Sequence, residues 1–153
     1  MSLLQETLLQ INELDMDVMA KVQNRLDNLT KPIGSLGRLE RIVRQYAGIV
    51  GQDQPELPKH CMVITSADHG VARLGISAYP IETTLQMTAN YLLSKGASAN
   101  AFANFCGADL VVADVGVAGD LSYLPGLLHR KIAYGTQDFT KGPAMTRAQA
   151  VEA

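Results

Sequence analysis

An α/β fold with a Rossmann-like parallel sheet, led by an all-helical segment, is the fold class this sequence predicts. Three observations predict it. Apolar residues between Leu4 and Val50 recur at helical spacing. Beyond Pro58 the pattern changes to short apolar runs, Met62 to Ala67 and Leu110 to Val115, and the second is β-branched in the manner of buried parallel strands. Helix-like stretches lie between these runs, and such alternation implies right-handed crossovers. The polar stretch Gly51 to Pro58, with two prolines, divides the parts. The expected domains are therefore a helical segment over 1–52 and an α/β part over 59–153.

Taken in order, Leu4, Leu8, Ile11 and Leu14 predict a first helix. Asp15 or Asp17 can cap a second, whose apolar positions are Val18, Val22, Leu26 and Leu29. Thr30 to Ser35 breaks the pattern, because Pro32 pushes Lys31 out of the helical region and Gly34 permits a turn. A third helix is expected to bury Leu36, Leu39, Ile42, Val43, Tyr46, Ile49 and Val50, leaving Arg38, Arg41 and Arg44 on its solvated face. After the strand at Met62 to Ala67, Thr83 to Leu93 reads as a helix, with Pro80 in its first turn and Glu82 complementing its dipole. Its expected packing stripe is Leu85, Ala89 and Leu92. Ala97 to Cys106 is a small-residue helix, Leu110 to Val115 a second strand and Ile132 to Tyr134 a third.

Thr146 and Gln149 form a capping box, but the helix they start has only a few residues before Ala153. Two or three strands also make a thin sheet for a doubly wound domain. The fold is therefore expected in a truncated form.

Composition narrows the function classes. The 153 residues suffice for a real core, with 47% hydrophobic content and a mean hydropathy of +0.06. Thirteen basic side chains stand against fifteen acidic ones, so there is no basic excess of the kind nucleic-acid binding needs. Trp is absent, which argues against base-stacking platforms. No apolar run reaches the roughly 20 residues of a membrane span, and the start turns acidic at once instead of reading as a signal peptide. Cys61 and Cys106 sit in apolar contexts and are expected to be reduced, buried thiols. A cytoplasmic protein with no nucleic-acid or membrane partner is expected.

Polar chemistry concentrates at Ile64 to Pro80, where a strand runs into Ser66-Ala67-Asp68-His69-Gly70 and a second polar cluster opens a helix. Open α/β sheets place ligand sites at such points. Asp68 can orient a substrate or His69; the alternative is an Asx-turn beside a solvated imidazole. Ser77 and Tyr79 can present a hydroxyl and a phenol. Gln86 beside Met87 suits a flat heteroaromatic ligand, since an amide offers hydrogen bonds and its neighbours offer apolar faces; equally, Ser77 can be a cap and Met87 core. Asp114 ends a strand, where a carboxylate faces either a ligand or its own loop. Gly135 to Pro143 can bind an anion through free N–H groups and Lys141, or be a turn-rich connection. Asp68, His69, Asp114 and Cys61 lack zinc-type spacing, so no metal is expected.

Several segments occur here in one order: Leu29-Thr30-Lys31-Pro32, Gly34-Ser35-Leu36-Gly37-Arg38-Leu39-Glu40, Ala67-Asp68-His69-Gly70-Val71, Ser77-Ala78-Tyr79-Pro80, Gln86-Met87, Asp114-Val115-Gly116-Val117 and Gly142-Pro143-Ala144-Met145-Thr146. Together they resemble the nicotinate-nucleotide–dimethylbenzimidazole phosphoribosyltransferase family, from about Leu26 onward. Ile33 stands where the family usually has a second proline, and Asp138 where its pattern has asparagine. The resemblance implies transfer of phosphoribose from nicotinate mononucleotide to 5,6-dimethylbenzimidazole, giving α-ribazole phosphate and nicotinate for the lower ligand of cobalamin. It implies homodimers with a large α/β domain and a small helical domain, and no metal or redox cofactor.

Family members run to about twice this length, and their later half carries a Gly-rich phosphate segment and a glutamate base. The resemblance therefore implies no catalytic residue in this chain, with Ser77, Tyr79 and Gln86 on the benzimidazole side and Asp68, His69 and Asp114 supporting the pocket. Three readings stay open: an incomplete, inactive portion of the transferase; a binding module for an aromatic base, or a subunit needing a second chain; and an unrelated Rossmann-like enzyme.

Overall fold

The computed structural model describes residues 3–152, which fall into two compact units, one up to Pro58 and one from Lys59 onward. The first unit holds α1 (Leu3–Leu9), α2 (Met16–Asp27) and α3 (Arg38–Val50). Asp15 caps α2, its Oδ1 accepting the Val18 N–H at 2.9 Å. Gly48 lets α3 approach α2 closely: a Cβ there would lie 2.7 Å from Met19 Cγ, and the Gly48 carbonyl accepts the Asp15 N–H. The small core of this unit is Val18, Val22 and Ala47, with Leu26 packed against it.

Contact through small residues reverses part of the expected pattern. The buried positions of α3 are Glu40, Ala47 and Gly48, whereas Leu36, Leu39, Ile42, Val43, Ile49 and Val50 stay exposed. Arg44 is half-buried, its Nη1 donating to Gln23 Oε1 at 3.0 Å, so it leaves the solvated face proposed for it. Helix α1 stops at Leu9 and buries nothing; Ile11 lies beyond it and is exposed.

The α2–α3 connection is held by one ion pair. Lys31 Nζ donates to Glu40 Oε1 at 2.7 Å, and the Leu36 N–H donates to the same oxygen at 3.1 Å. Both side chains are largely buried. These two hydrogen bonds, that from Lys31 first, hold the Glu40 carboxyl below its ordinary value of 4.5.

The second unit holds β1 (Cys61–Ala67), a 3-10 turn (Gly70–Leu74), α4 (Glu82–Leu92), α5 (Ser98–Cys106), β2 (Asp109–Gly116), β3 (Leu128–His129) and α6 (Arg147–Glu152). The strands form one parallel sheet in the order β1-β2-β3. Pairing runs from Cys61↔Asp109 to Ser66↔Asp114, then slips so that Ala67 faces Gly116. The core is Val112, Val117, Leu121, Leu124 and Leu127, against which Ile64, Leu85, Ala89 and Leu92 pack. The expected α4 stripe is therefore the buried one. The capping box of α6 also forms: Thr146 N–H donates to Gln149 Oε1 and Gln149 N–H to Thr146 Oγ1.

Two expectations fail here. Both cysteines are exposed. Cys61 shares with Val63 and Thr65 the exposed face of β1, because a strand alternates faces, and Cys106 closes α5 on its open side. The third strand lies earlier than Ile132 to Tyr134. Beyond β3, Arg130 N–H donates to the Asp114 carbonyl and Ile132 N–H to that of Val115, so two residues advance for one on β2. Lys131 is the extra residue, and the regular ladder ends there as at a bulge.

Two tests follow from this packing. Because the folded Glu40 carboxyl titrates below its unfolded value, its contribution to stability is present above about pH 4.5 and is lost as pH falls through the folded value. Glu40→Gln should lower the stability of the helical unit at neutral pH and flatten its acid limb in urea titrations followed by far-UV circular dichroism; an unchanged limb contradicts the ion pair. Gly70 is the other position. A Cβ there would meet Thr136 O at 2.5 Å and Asp138 N at 2.7 Å, both backbone atoms. Gly70→Ala should cost about 1–3 kcal/mol by denaturant unfolding, and a cost below a few tenths contradicts this close approach.

Candidate functional site

Parallel strands end in loops whose N–H groups have no ladder partner, and in the second unit two buried carboxylates supply partners. Asp114, 1% exposed, accepts through Oδ1 the N–H groups of Gly116 (3.1 Å) and Val117 (2.8 Å). Asp68, 4% exposed, accepts through Oδ2 the N–H of Ala118 at 2.7 Å. Its backbone continues the stitching: Asp68 N–H donates to the Gly116 carbonyl, and its own carbonyl accepts the Thr136 N–H. Thr136 Oγ1 then accepts the Gly70 N–H at 3.1 Å. Three loops, after β1, after β2 and after β3, are thus joined at one end of the sheet.

Lys131 completes this joint. Its Nζ donates to the carbonyls of Val117 (2.7 Å) and Gly119 (2.6 Å) and lies 3.1 Å from Asp114 Oδ2 as an ion pair. The same ammonium sits 4.3 Å from the centre of the Tyr134 ring.

Against this joint, at the C-terminal end of β1, opens a cleft of about 320 Å³. Asp68, His69, Ser77 and Tyr79 line it, with Thr83, Thr84 and Met87 of α4. The volume lies at the small end of ligand sites and admits a small molecule. Its exposed imidazole, hydroxyl and phenol can meet a ligand's polar edge while Met87, Pro80 and Ile81 meet its apolar face. Ser77 Oγ also accepts the Tyr79 N–H at 3.2 Å, which shapes the turn before α4.

The structure brings Asp68, His69, Ser77 and Tyr79 together on the cleft. Gln86 is exposed and is not among the residues lining it, though it stands three residues on from Thr83 and so on an adjacent stripe of α4. Asp114 caps its own loop. Sequence reasoning missed Thr83, Thr84 and Lys131. The threonines carry a signal in their position, the first turn of the helix that follows the polar cluster; Lys131 carries none.

Several N–H groups of the Gly135 to Pro143 segment already have acceptors. Those of Thr136 and Gln137 go to the carbonyls of Asp68 and Ala144, and those of Thr140 and Lys141 go to Asp138. The Thr140 hydroxyl and N–H hold the Asp138 carboxyl below its ordinary range. These bonds make the segment rich in turns and leave fewer of its N–H groups for a ligand. Among the described residues no group of three or more His, Cys, Asp and Glu side chains is placed to hold a metal, and no helix is long and apolar enough to cross a membrane. A second hollow, of about 390 Å³, lies at the start of β2 beside Tyr91, Lys95, Asn100 and Asp109.

A family model described as "Phosphoribosyltransferase" matches residues 11–153. The chain is 50% identical over its whole length to the nicotinate-nucleotide–dimethylbenzimidazole phosphoribosyltransferase of Geobacter metallireducens, and 48% to that of Chloroflexus aggregans. It spans 43% of the length of each. A crystal structure of the enzyme of that name from Thermus thermophilus superposes with a TM-score of 0.79 at 44% identity, covering 90% of this chain and 42% of that one. The chain belongs to the nicotinate-nucleotide–dimethylbenzimidazole phosphoribosyltransferase family.

Proposed function

We propose that this chain supplies the benzimidazole side of a transferase that moves phosphoribose from nicotinate mononucleotide to 5,6-dimethylbenzimidazole, in cobalamin biosynthesis. The observation that carries the reading is the cleft at the end of β1, whose polar and apolar walls suit a fused aromatic ring, in a chain half identical to enzymes named for that reaction. Helices 1–52 belong to the small domain in this reading, and residues 59–153 to the α/β domain.

The chemistry is displacement at the anomeric carbon of the nucleotide. Nicotinate leaves readily, because as the ribosylated pyridinium it is already cationic. The attacking ring nitrogen must lose its proton to a base. Asp68 is a poor choice for that base, since its Oδ2 is held by Ala118. The same observation favours a narrower role for this chain: it holds and orients the base ring while a further segment or second chain supplies proton transfer and phosphate binding. Orientation of two flat rings on opposite faces of the ribose is the larger task. No metal or redox group enters the proposal. A cytoplasmic location is part of the same proposal, since the substrates are soluble metabolites.

Self-association also belongs to the proposal. The exposed Leu39, Ile42, Val43 and Ile49 of α3 give the helical unit an apolar surface of the kind that recruits partners. Light scattering at micromolar concentration should return more than a monomer mass; a clean monomer counts against it.

Titration of the chain with 5,6-dimethylbenzimidazole, followed calorimetrically, tests the base-binding reading. Saturable binding is expected, weakened by Tyr79→Ala and by Met87→Ala. Gln86 is exposed, so Gln86→Ala should weaken it about 5- to 150-fold, the worth of one buried hydrogen bond, only where the bound ring covers its amide. Binding unaffected by Gln86→Ala would confine recognition to the residues lining the cleft, and no saturable binding would sink the reading.

A further inference from the structure

Lys131 does not line the cleft, yet it touches the loop that fixes one of its walls. The residue is the extra one where β3 leaves the ladder, and its side chain is only 19% exposed. A largely desolvated ammonium needs partners for all its hydrogens. Lys131 donates to the Val117 and Gly119 carbonyls, and Asp114 Oδ2, which accepts no hydrogen bond, stands 3.1 Å away as its ion-pair partner. The two carbonyls flank Ala118, whose N–H donates to Asp68 Oδ2. Asp68 in turn forms part of the cleft wall, next to His69.

We propose that Lys131 is a positioning residue for the cleft: by gripping the backbone on both sides of Ala118, it sets where the Asp68 carboxylate stands against the bound ring. A compact ammonium suits two carbonyls and a carboxylate converging from different directions, and the planar fork of arginine does not. The inference rests on the base-binding reading of the cleft, and its test includes a readout independent of any ligand.

Three proteins are compared: the parent chain, Lys131→Met and the double variant Asp114→Asn/Lys131→Met. The single variant leaves Asp114 buried without its ion-pair partner and loses stability. The double variant removes that charge while keeping an acceptor for the Gly116 and Val117 N–H groups. Calorimetric titration with 5,6-dimethylbenzimidazole should show binding weakened on the order of tenfold or more in both variants, although urea unfolding of the double variant returns close to the parent. Amide hydrogen exchange should show lost protection at Ala118 and Thr136 in both. The proposal is overturned if affinity recovers together with stability in the double variant, or if Lys131→Met binds within about twofold of the parent. Should the parent itself bind no dimethylbenzimidazole, the base-binding reading fails, and exchange at Ala118 decides the positioning claim: parent-like protection in Lys131→Met overturns it, and lost protection upholds it.

Discussion

Asp68 and Asp114, buried at the ends of neighbouring parallel strands, accept the N–H groups that the sheet ladder leaves unpaired, and the form of the cleft depends on that exchange. A parallel sheet always ends in such orphaned groups, and an unpaired buried N–H costs roughly 1–3 kcal/mol. Here the slip in pairing after Ser66 brings Ala67 opposite Gly116, so that the next residue, Asp68, reaches the loop beyond β2. The same slip therefore ends the ladder and ties the two loops. Gly70 then lets the segment from Thr136 to Asp138 close over the joint, because any side chain there would collide with backbone.

Much of this was legible in the sequence, because it rests on local rules. The β-branched run at Leu110 to Val115, the α4 stripe of Leu85, Ala89 and Leu92, the Asp15 cap and the capping box at Thr146 all depend on residues within a turn or two of one another. The polar cluster after β1 showed itself by having more chemistry than a connection needs. Asp68, His69, Ser77 and Tyr79 accordingly meet on one cleft.

The failures concern contacts distant in sequence, or the choice between two apolar faces. Helix α3 has a conspicuous apolar stripe, but α2 docks instead on Ala47 and Gly48, where small residues permit close approach, while Glu40 is taken up by Lys31 of the connection. Periodicity ranks faces by hydrophobicity and says nothing about which face a partner can reach. Cys61 looked buried from its neighbours, yet strand alternation sets it on the exposed face of β1. Lys131 reads as an ordinary surface lysine, and only the bulge-like end of the β3 ladder turns it inward. Each of these is decided by where a second segment lies.

The central claim is that a fused aromatic base sits at the C-terminal end of β1, against a wall fixed by the Asp68 joint. A crystal of this chain grown with excess 5,6-dimethylbenzimidazole tests it most directly. The account predicts electron density for the ring between Tyr79, Met87 and His69, with Ala118 still donating to Asp68. A ring lodged in the hollow beside Asn100 and Asp109, or a cleft left empty at saturating ligand, would contradict it.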